Sequence, residues 1–273
     1  MKKIGLFFHP ELPRARALAE EMSRTLRSLG SPFWACSAWD QDEARQLAPG
    51  TDLLVALGGD GTILRAARTV MSEGTPILGV RLGRVGFLSE VEPEEAVDKM
   101  KAFLAGEGWV EDRMMLASTP ASRGPEQHAL NDIVVGRGMK PGIIHIRASI
   151  DGHYFTTFTA DGVILATPTG STGYSMAAGG PLVHPDVQGI LLTPIAAHLS
   201  LSHPLVLPAT VSLELQVLTK DQATLTVDGQ TDTPLQDGDI VQVRRSDKVT
   251  RFLRFDPRSH YYSVLSQRLK YRE

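Results

Sequence analysis

Apolar and polar positions follow one rhythm over roughly the first 105 residues of the chain. Short continuous apolar runs alternate with segments in which apolar residues recur at helical spacing. The apolar runs cover residues 4–8, 53–57 and 76–80, and the helical segments cover residues 14–29, 63–71 and 94–104. Such runs are typical of buried parallel strands, and the spaced segments are typical of amphipathic helices. The alternation predicts an α/β N-terminal domain, with a parallel sheet and flanking helices.

The rhythm changes after residue 109, where strand-like stretches follow one another. These stretches cover residues 127–135, 143–150, 154–159, 163–166, 211–217, 223–227 and 240–245. Asp-Gly or Gly-Asp pairs, which favour tight turns, stand at residues 151–152, 161–162, 228–229 and 238–239. The pattern predicts a mostly antiparallel all-β C-terminal domain.

Residues 255–269 show a partly helical pattern, and we expect this C-terminal tail to pack back on the first domain. The change of rhythm places the domain boundary near residues 105–112. The expected organisation is an α/β domain of residues 1–107, joined by the returning residues 255–273, and a β-rich domain of residues 108–254.

Composition and charge exclude several classes of protein. Of the 273 residues, 42% are hydrophobic, which is enough for a full core and excludes general disorder. The net charge of -3 disfavours a strongly basic nucleic-acid-binding surface. No stretch approaches the ~18 apolar residues of a membrane helix, and Pro10, Glu11 and Arg14 end the first apolar run too early for a signal peptide. Cys36 is the single cysteine, so no intramolecular disulfide can form, and we expect a cytoplasmic protein without a membrane partner.

A glycine-rich turn with an acid at its centre stands between a predicted strand and a predicted helix. It reads Gly58-Gly59-Asp60-Gly61-Thr62. Glycines leave room for a close ligand, and backbone N–H groups at a helix start favour phosphate oxygens. Asp60 would repel a polyphosphate unless it binds Mg²⁺ or accepts a proton from an attacking hydroxyl. Thr62 can cap the helix, and Arg65 could face the same ligand one turn later.

The same residues also fit a tight strand-to-helix turn with an acidic cap. The position of the turn at the C-terminal end of a parallel strand favours a ligand site, because α/β sheets bind ligands there. The chain contains no G-x-x-x-x-G-K-[ST] run and no G-x-G-x-x-G run. Walker-type nucleotide binding and a dehydrogenase of the usual Rossmann kind are therefore disfavoured.

A second loop, rich in hydroxyl side chains, follows the strand predicted over residues 163–166. It reads Thr167-Pro168-Thr169-Gly170-Ser171-Thr172-Gly173-Tyr174-Ser175. Clustered hydroxyls at a helix start suit ribose or phosphate recognition, and Tyr174 offers a flat ring for a base. A well-capped short helix, with Ser171 or Thr172 as its cap, explains the same residues.

Acidic turns elsewhere in the β-rich half offer further polar groups. Asn131-Asp132 at a strand start can form a polar hook for a sugar diol, although such a pair more often makes an Asx-turn. Asp161 and the run Asp228-Gly229-Gln230 are equally typical of turns. The chain has no H-E-x-x-H run and no cysteine pair, which disfavours structural zinc.

These motifs, in this order along one chain, resemble the NAD kinase family. The resemblance spans about residues 4–267, and its specific part is the run Thr-Pro-Thr-Gly-Ser-Thr-x-Tyr that begins at residue 167. The Gly-Gly-Asp-Gly turn is shared with diacylglycerol and sphingosine kinases and, in a variant form, with phosphofructokinases. The resemblance implies an N-terminal α/β domain, a C-terminal β domain that binds NAD, and a helical tail that docks on the first domain.

The resemblance also implies an activity and its partners. ATP-dependent phosphorylation of the 2′-hydroxyl of the NAD adenosine ribose would give NADP, with a divalent metal ion, usually Mg²⁺. Family members are cytoplasmic homo-oligomers, so we expect a homodimer or homotetramer with NAD and ATP as substrates. ATP is the expected phosphoryl donor, while inorganic polyphosphate serves in some relatives.

Roles follow from the resemblance residue by residue. Asp60 is implied as the catalytic base, and the phosphate loop comprises Gly58, Gly59, Gly61 and Thr62. The residues implied to bind NAD are Asp60, Gly61, Arg65, Asn131, Asp132, Asp161, Thr172, Gly173, Tyr174, Ser175, Met176, Ala177 and Gln230. Within this set, Asn131 and Asp132 would hold ribose hydroxyls, Asp161 would hold the nicotinamide end, and residues 172–177 would surround an adenine.

Two positions depart from the family pattern. Thr159 stands where many relatives carry a basic residue, and Gly142 stands where some relatives place a histidine. Positive charge toward a ribose phosphate would then be weaker, or would come from His145, Arg137 or Lys140. The preference between NAD and NADH, and feedback by NADP, stay open at this point.

Two other functions fit part of the pattern. A lipid kinase of the same superfamily predicts an apolar mouth or a basic membrane-facing helix, and the sequence offers no convincing amphipathic candidate. A non-catalytic NAD(H)-binding sensor would keep Asn131, Asp161 and Tyr174 but would not need an acid at position 60. Asp60 between glycines therefore favours the kinase.

Overall fold

The computed structural model describes residues 1–83, 86–120, 124–138, 143–198, 200–219 and 222–270, with the backbone alone for residues 269 and 270. The chain forms two compact units. The first unit comprises Met1–Asp112 and Thr250–Glu273, and the second unit comprises Arg113–Val249. The expected domain limits, after residue 107 and before residue 255, lie within a few residues of these bounds and stay predictions as limits of functional domains.

The strands and helices follow in chain order. The strands are β1 Ile4–Phe8, β2 Phe33–Ser37, β3 Leu53–Gly58, β4 Ile77–Arg81, β5 Trp109–Pro120, β6 Gln127–Ala129, β7 Asp132–Arg137, β8 Ile144–Ile150, β9 His153–Ala160, β10 Gly162–Ala166, β11 Gly189–Ile195, β12 Leu205–Pro208, β13 Leu213–Leu218, β14 Ala223–Val227, β15 Thr231–Leu235 and β16 Ile240–Arg254. The α-helices are α1 Pro13–Ser28, α2 Gln41–Leu47, α3 Asp60–Val70, α4 Ala96–Ala105, α5 Tyr174–Ala177 and α6 His260–Lys270. Within the ranges that the structure describes, none of the helices has both the length and the apolar character needed to cross a membrane.

The first unit is built on a parallel sheet. Its strands lie in the order β2-β1-β3-β4, and each neighbouring pair is parallel. β3 is buried along its whole length, as its continuous apolar run predicts. Leu18, Met22 and Leu26 of α1 share a core with apolar residues of β1, β3 and β4, because their spacing places them on one face of the helix. The predicted α/β architecture is confirmed.

The strand order of this sheet has a consequence for ligand binding. β2 and β3 lie on opposite sides of β1. The chain therefore moves to one side of β1 to form β2 and then crosses to the other side to form β3. In doubly wound sheets a ligand crevice forms at the carboxyl ends of the strands where the order reverses. Gly58, the last residue of β3, begins the glycine-rich turn at this edge.

The second unit is antiparallel in its described strand pairs. One sheet has the order β12-β11-β10-β7-β14-β15, and a second set joins β16, β13, β8 and β9 in that order. Alternate residues of both point into one apolar core, for example Val135 and Leu165 from the first and Phe158 and Leu215 from the second. The predicted antiparallel β domain is confirmed.

Several element bounds differ from the expectation. The strand expected over residues 127–135 is interrupted, because the N–H groups of Leu130 and Asn131 bond to the Asp228 carboxylate. The last strand continues to Arg254 instead of ending at residue 245. Helix α3 begins at Asp60, inside the glycine turn, instead of at residue 63.

Both expected helix caps are wrong. Gly59 precedes α3 and offers no side chain, so Thr62 lies inside the helix. The residue before α5 is also a glycine, and Ser171 and Thr172 donate their hydroxyls to backbone carbonyls. Thr167 supplies the hydroxyl that accepts an N–H group at the start of this loop, at 3.0 Å. A cap depends on the residue at which a helix starts, and sequence places that start only within a few residues.

The C-terminal tail packs within the first unit, as predicted. The N–H groups of Phe255 and Asp256 donate to one carboxylate oxygen of Glu90, at 2.6 and 2.9 Å. Further along the tail, the Arg268 guanidinium of α6 lies 3.9 Å from the Asp60 carboxylate. The tail therefore reaches the glycine-rich turn of its own unit.

Candidate active site

The glycine-rich turn of residues 58–62, expected to bind phosphate, joins β3 to α3 in the first unit. Gly58 ends the strand, and the helix begins two residues later at Asp60. A side chain at position 58 would place its Cβ 2.2 Å from Thr62 Oγ1, so only glycine fits beneath the first helical turn. At positions 59 and 61 an added Cβ would meet open space. The backbone of this turn is therefore open to a close ligand.

A cavity of about 440 Å³ lies beside this loop, within the first unit. It is lined by His9, Leu12, Trp39, Gly59, Gly61, Thr62 and Arg65. The histidine follows β1, the tryptophan follows β2 and the glycines follow β3, so the cavity lies at the carboxyl ends of these strands. The arginine and the positive end of α3 favour an anionic ligand, and the two aromatic rings, whose centres are 5.6 Å apart, form one wall.

The Asp60 carboxylate is held by backbone groups from a distant segment. Its oxygens accept the N–H groups of Phe87 at 2.9 Å and of Leu88 at 3.3 Å. Arg268 lies 3.9 Å away and adds a positive charge. The Asp60 side chain remains 31% exposed, so its carboxylate is oriented and still open to a ligand. A positioned proton acceptor needs both properties.

A larger cavity, of about 630 Å³, lies within the second unit. It is lined by Asn131, Asp132, Val134, Gly136, Arg137, Gly138, Asp161, Tyr174, Ile195, Thr224, Thr226, Asp228 and Gly229. Carboxylates, an amide, hydroxyls and a guanidinium dominate this lining, with a few apolar side chains between them. Its volume falls in the range of small-molecule sites, roughly 300–1,000 Å³, and its polarity suits a ligand rich in hydroxyl and phosphate groups.

Asp228 organises the second cavity through the backbone. Its carboxylate accepts three N–H groups, from Leu130 at 3.0 Å, Asn131 at 2.7 Å and Asp132 at 3.2 Å. The residue opens the hairpin turn between β14 and β15 with a φ of 51°, a conformation that Asp adopts more readily than most residues. This turn therefore fixes Asn131 and Asp132 at the start of β7, where both line the cavity.

Asp132 lies beside this carboxylate and is only 6% exposed. Burial, and secondly the negative charge of Asp228, raise the pKa of Asp132 to about 7. The Tyr174 N–H group donates to Asp132 and partly opposes this rise in pKa. Near neutral pH the Asp132 carboxyl can therefore accept or donate a hydrogen bond, which suits recognition of a sugar hydroxyl.

Asp161 and Arg137 form the charged part of the same lining. The Arg137 Nε lies 3.4 Å from the Asp161 carboxylate, and the two side chains are 37% and 35% exposed. Tyr174, whose ring is 48% exposed, adds a flat aromatic face. The cavity thus combines a cation, carboxylates and an aromatic ring, the groups that bind phosphate, ribose and base of a nucleotide.

Models of one enzyme family match both units of the chain. The ATP-NAD kinase N-terminal domain matches residues 2–108, and the ATP-NAD kinase C-terminal domain matches residues 130–255. The NAD kinase of Dehalococcoides mccartyi strain CBDB1 is 41% identical over 98% of this chain and 96% of its own length. The chain belongs to the NAD kinase family.

Further relatives and solved structures of NAD kinases agree with this membership. The NAD kinase of Citrifermentans bemidjiense is 39% identical over the whole of both chains. The crystal structure of yeast NADH kinase complexed with NADH matches with a TM-score of 0.84 and 27% identity, over 99% of this chain and 88% of that chain. An NAD kinase from Archaeoglobus fulgidus in complex with ATP matches with a TM-score of 0.77 and 28% identity, over 97% and 99%. The family and fold expected from the sequence are confirmed.

Six of the expected NAD contacts line one of the two cavities. Asn131, Asp132, Asp161 and Tyr174 line the second-unit cavity, whereas Gly61 and Arg65 line the first-unit cavity. The other expected contacts line neither of these cavities: Asp60 begins α3, and Thr172, Gly173, Ser175, Met176, Ala177 and Gln230 lie in or before α5 and in the β14–β15 turn. Ser175 is fully buried, and its hydroxyl bonds to Thr193 at 3.0 Å, so that hydroxyl supports the loop.

The three sources of positive charge named from the sequence have different placements. Arg137 lines the second-unit cavity. His145 bonds to the Thr159 hydroxyl at 3.0 Å, on the neighbouring strands β8 and β9. Lys140 and Gly142 lie outside the described residues.

Sequence reasoning missed Thr224 and Thr226 of the second-unit cavity and the organising role of Asp228. The two threonines alternate with the buried residues Ala223, Leu225 and Val227 of β14. This period of two placed both hydroxyls on the face opposite the core, and it could have marked them as a pair.

A metal ion at this site would need ligands from substrate phosphates as well as from the protein. Among the residues that the structure describes, no three His, Cys, Asp or Glu side chains form a cluster that could hold a metal ion. Mg²⁺ at nucleotide sites usually takes one or two carboxylates together with substrate phosphates. Asp60, beside the phosphate loop, meets this requirement, so the residues fit a Mg²⁺ ion that arrives with a polyphosphate.

Proposed function

We propose that this chain transfers the γ-phosphoryl group of ATP to the 2′-hydroxyl of the adenosine ribose of NAD, giving NADP. The oriented and partly exposed carboxylate of Asp60 carries this proposal. A protein that only bound a dinucleotide would need a polar cavity, but it would not need an acid held at a phosphate loop. Membership of the NAD kinase family supports the same activity.

NAD is the proposed acceptor, and the second-unit cavity is its proposed site. Asn131 and Asp132 are proposed to hold ribose hydroxyls, because an amide and a half-protonated carboxyl offer both donors and acceptors. Asp161 is proposed for the nicotinamide end. The other proposed contacts are Thr172, Gly173, Tyr174, Ser175, Met176, Ala177 and Gln230, with residues 172–177 around the adenine.

Arg137 is proposed to replace the basic residue that many relatives carry at the position of Thr159. Its guanidinium is 37% exposed at the cavity and is paired with Asp161. A partly exposed arginine can redirect N–H groups to a phosphate while it keeps its carboxylate partner.

The phosphate loop is proposed to bind phosphate groups in the first unit. Gly58, Gly59, Gly61 and Thr62 form this loop, and its open positions let phosphate oxygens approach the start of α3. Gly61 and Arg65 are further proposed to contact the dinucleotide, whose phosphates are negatively charged like those of the donor. Inorganic polyphosphate is a second donor that this chemistry would accept.

Asp60 is proposed as the general base. A secondary ribose hydroxyl is a poor nucleophile near neutral pH, so its proton must leave as its oxygen bonds to phosphorus. The N–H groups of Phe87 and Leu88 fix the direction in which the carboxylate faces. A bound Mg²⁺ ion would offset the phosphate charge and polarise the transferred group, with Asp60 as the neighbouring carboxylate.

Assembly and location are proposed from two further observations. Strand β9 ends the order of its described sheet, and it exposes Tyr154 and Phe155 by 59% and 38%. Because apolar edge strands are normally covered, we propose a homodimer or homotetramer. We also propose a cytoplasmic location, because the single cysteine, Cys36, can form no intramolecular disulfide.

A coupled assay tests the activity. The full chain is incubated with NAD, ATP and Mg²⁺, and NADP is measured with a dehydrogenase that accepts only NADP. Parallel reactions replace ATP with polyphosphate, and NAD with NADH or diacylglycerol. We expect NADP from NAD and ATP and no product from the lipid. Calorimetric binding of NAD without product from any donor would support the sensor function and overturn the proposal.

A further inference from the structure

The contacts of Asp60 come from a segment that approaches it unusually closely. At position 86 an added Cβ would lie 2.0 Å from Asp60 Oδ1, so only Gly86 allows the approach. Phe87 and Leu88 then donate their N–H groups to the two carboxylate oxygens. The Arg268 guanidinium is 3.9 Å from Oδ2, which is an ion-pair distance and too long for a hydrogen bond.

Arg268 is fixed in place by an aromatic ring as well as by the charge of Asp60. Its guanidinium lies 4.7 Å from the centre of the Phe87 ring. Its Nε is buried and makes no hydrogen bond with any described residue. An arginine has five N–H donors and no acceptor, so the guanidinium near Asp60 retains one N–H donor, at Nε, that no described residue accepts.

Stability alone does not explain this arrangement. A partly exposed ion pair and a cation over a ring each stabilise a fold only slightly, whereas a buried donor without a partner destabilises it. The Arg268 side chain is 33% exposed beside the proposed base, so its guanidinium is open to an anionic ligand.

The proposed reaction supplies an anion of the required kind. Here the inference rests on the proposed function. The ribose oxygen forms a bond to the γ-phosphorus, and the bond from that phosphorus to the β,γ-bridging oxygen breaks. The electron pair of the broken bond stays on ADP, and the hydroxyl proton passes to Asp60. Negative charge on the transferred phosphoryl oxygens must be balanced while Asp60, itself an anion, stays within reach of the hydroxyl.

We propose that Arg268 is a catalytic residue of phosphoryl transfer, which binds the oxygens of the transferred group beside Asp60. The planar guanidinium matches two phosphoryl oxygens at once. The same cation faces Asp60 and the phosphoryl group, and it reduces the repulsion between them. Helix α6 is then part of the reaction centre of its own unit and not only a packing element.

Arg258 offers a matched control on the same tail. Its guanidinium also lies over an aromatic ring, 4.9 Å from the centre of the Trp109 ring. The variants to compare are Arg268→Gln, Arg268→Lys, Arg268→Ala and Arg258→Gln. For each, kcat, the KM for NAD and the midpoint of thermal unfolding are measured with the full chain, NAD, ATP and Mg²⁺.

We expect Arg268→Gln to lower kcat by at least ~10²-fold, with the KM for NAD within about threefold of wild type. Arg268→Lys should retain part of the lost rate, because it keeps a charge without the planar donor pair. Added guanidinium ion should restore part of the rate of Arg268→Ala and none of the rate of Arg258→Gln, which should start near the wild-type value. A structural role alone would not give this rescue.

Two results would overturn the inference while the wild-type chain makes NADP. One is a kcat for Arg268→Gln within about threefold of wild type. The other is a loss of rate that guanidinium does not restore and that follows a fall in the unfolding midpoint. A wild-type chain that makes no NADP would instead overturn the proposed function.

Discussion

Asp60 in the first unit and Asp228 in the second unit both accept more than one backbone N–H group, and the two carboxylates differ in how exposed they are. Asp60 accepts the N–H groups of Phe87 and Leu88, and its side chain is 31% exposed. Asp228 accepts three N–H groups and is 7% exposed. The Asp60 carboxylate remains accessible to a ligand, whereas the buried Asp228 carboxylate mainly fixes the backbone of residues 130–132.

The difference extends to the charge around each aspartate. Asp60 has a guanidinium as its charged neighbour, at 3.9 Å. Asp228 has another carboxylate, that of Asp132, whose pKa it helps to raise. The guanidinium places positive charge beside Asp60, at the start of helix α3. The raised pKa of Asp132 lets its carboxyl donate as well as accept a hydrogen bond near neutral pH, which suits recognition of hydroxyl groups.

The largest effect that separates the two aspartates should come from Asp60→Asn. The amide keeps the size of the side chain but cannot take the proton, so NADP formation should fall by about 10²- to 10⁴-fold. The coupled assay measures this rate, and calorimetry should show that NAD still binds.

Asp52→Asn is the matched control for that variant. Asp52 belongs to the same unit and also accepts an N–H group from a distant residue, Lys3, at 2.6 Å. Because it is exposed and lies outside the cavity lining among the described residues, its variant should keep the wild-type rate. Near-normal turnover of Asp60→Asn would remove Asp60 from the role of base.

Asp228→Ala should act on stability instead. The substitution leaves three backbone N–H groups without their acceptor, and we expect the free energy of unfolding to fall by about 3 kcal/mol. Asp151→Ala provides the comparison, since Asp151 has the same turn position and a φ of 50° but is exposed and accepts one N–H group, from Ser212. Its cost should be about 1 kcal/mol.

Denaturant unfolding of both variants checks this expectation. Alanine at positive φ strains the two turns equally, so the strain cancels in the comparison. Equal losses of stability in the two variants would show that the Asp228 carboxylate does not organise the backbone of residues 130–132.

The sequence predicted both units because their periodicities differ strongly. The buried run of β3 and the alternation of β14 each match one pattern, and both were found in the structure. β2, α2, β5, β11, β12 and β15 did not emerge. In α2 and β5 apolar, polar and charged residues mix without a clear period. Elements without a period of their own are fixed by their neighbours more than by their own composition.

For the site, local motifs were visible and their connections were not. The Gly-Gly-Asp-Gly turn marked Asp60 as a candidate in the sequence. Nothing in the sequence connects Asp60 to Phe87 or Arg268, which contact it only in the folded unit. Asp228 was interpreted as an ordinary turn residue, because a turn aspartate looks the same whether it bonds to its own turn or to residues 130–132. Contacts over such distances in sequence require the fold.

The last effect, on the pH dependence of stability, concerns the proton that Asp132 holds. Its pKa of about 7 in the folded chain lies above the ordinary value of 3.8. Between pH 4 and pH 7 the unfolded chain has therefore released this proton while the folded chain still binds it. As the pH rises from 4 to 7, the free energy of unfolding should therefore fall by up to about 1.4 kcal/mol per pH unit. The reference is Asp132→Asn, whose side chain has no such proton.

Asp228→Asn sharpens this experiment, because it removes the negative charge of Asp228 and leaves Asp132 buried. Burial still raises the pKa of Asp132 in that variant, so the window of falling stability should persist but close at a lower pH. Urea unfolding from pH 4 to pH 8 gives the curves for wild type and both variants. If the curves of wild type and Asp132→Asn ran parallel over this range, the pKa of Asp132 would not be raised in the folded chain.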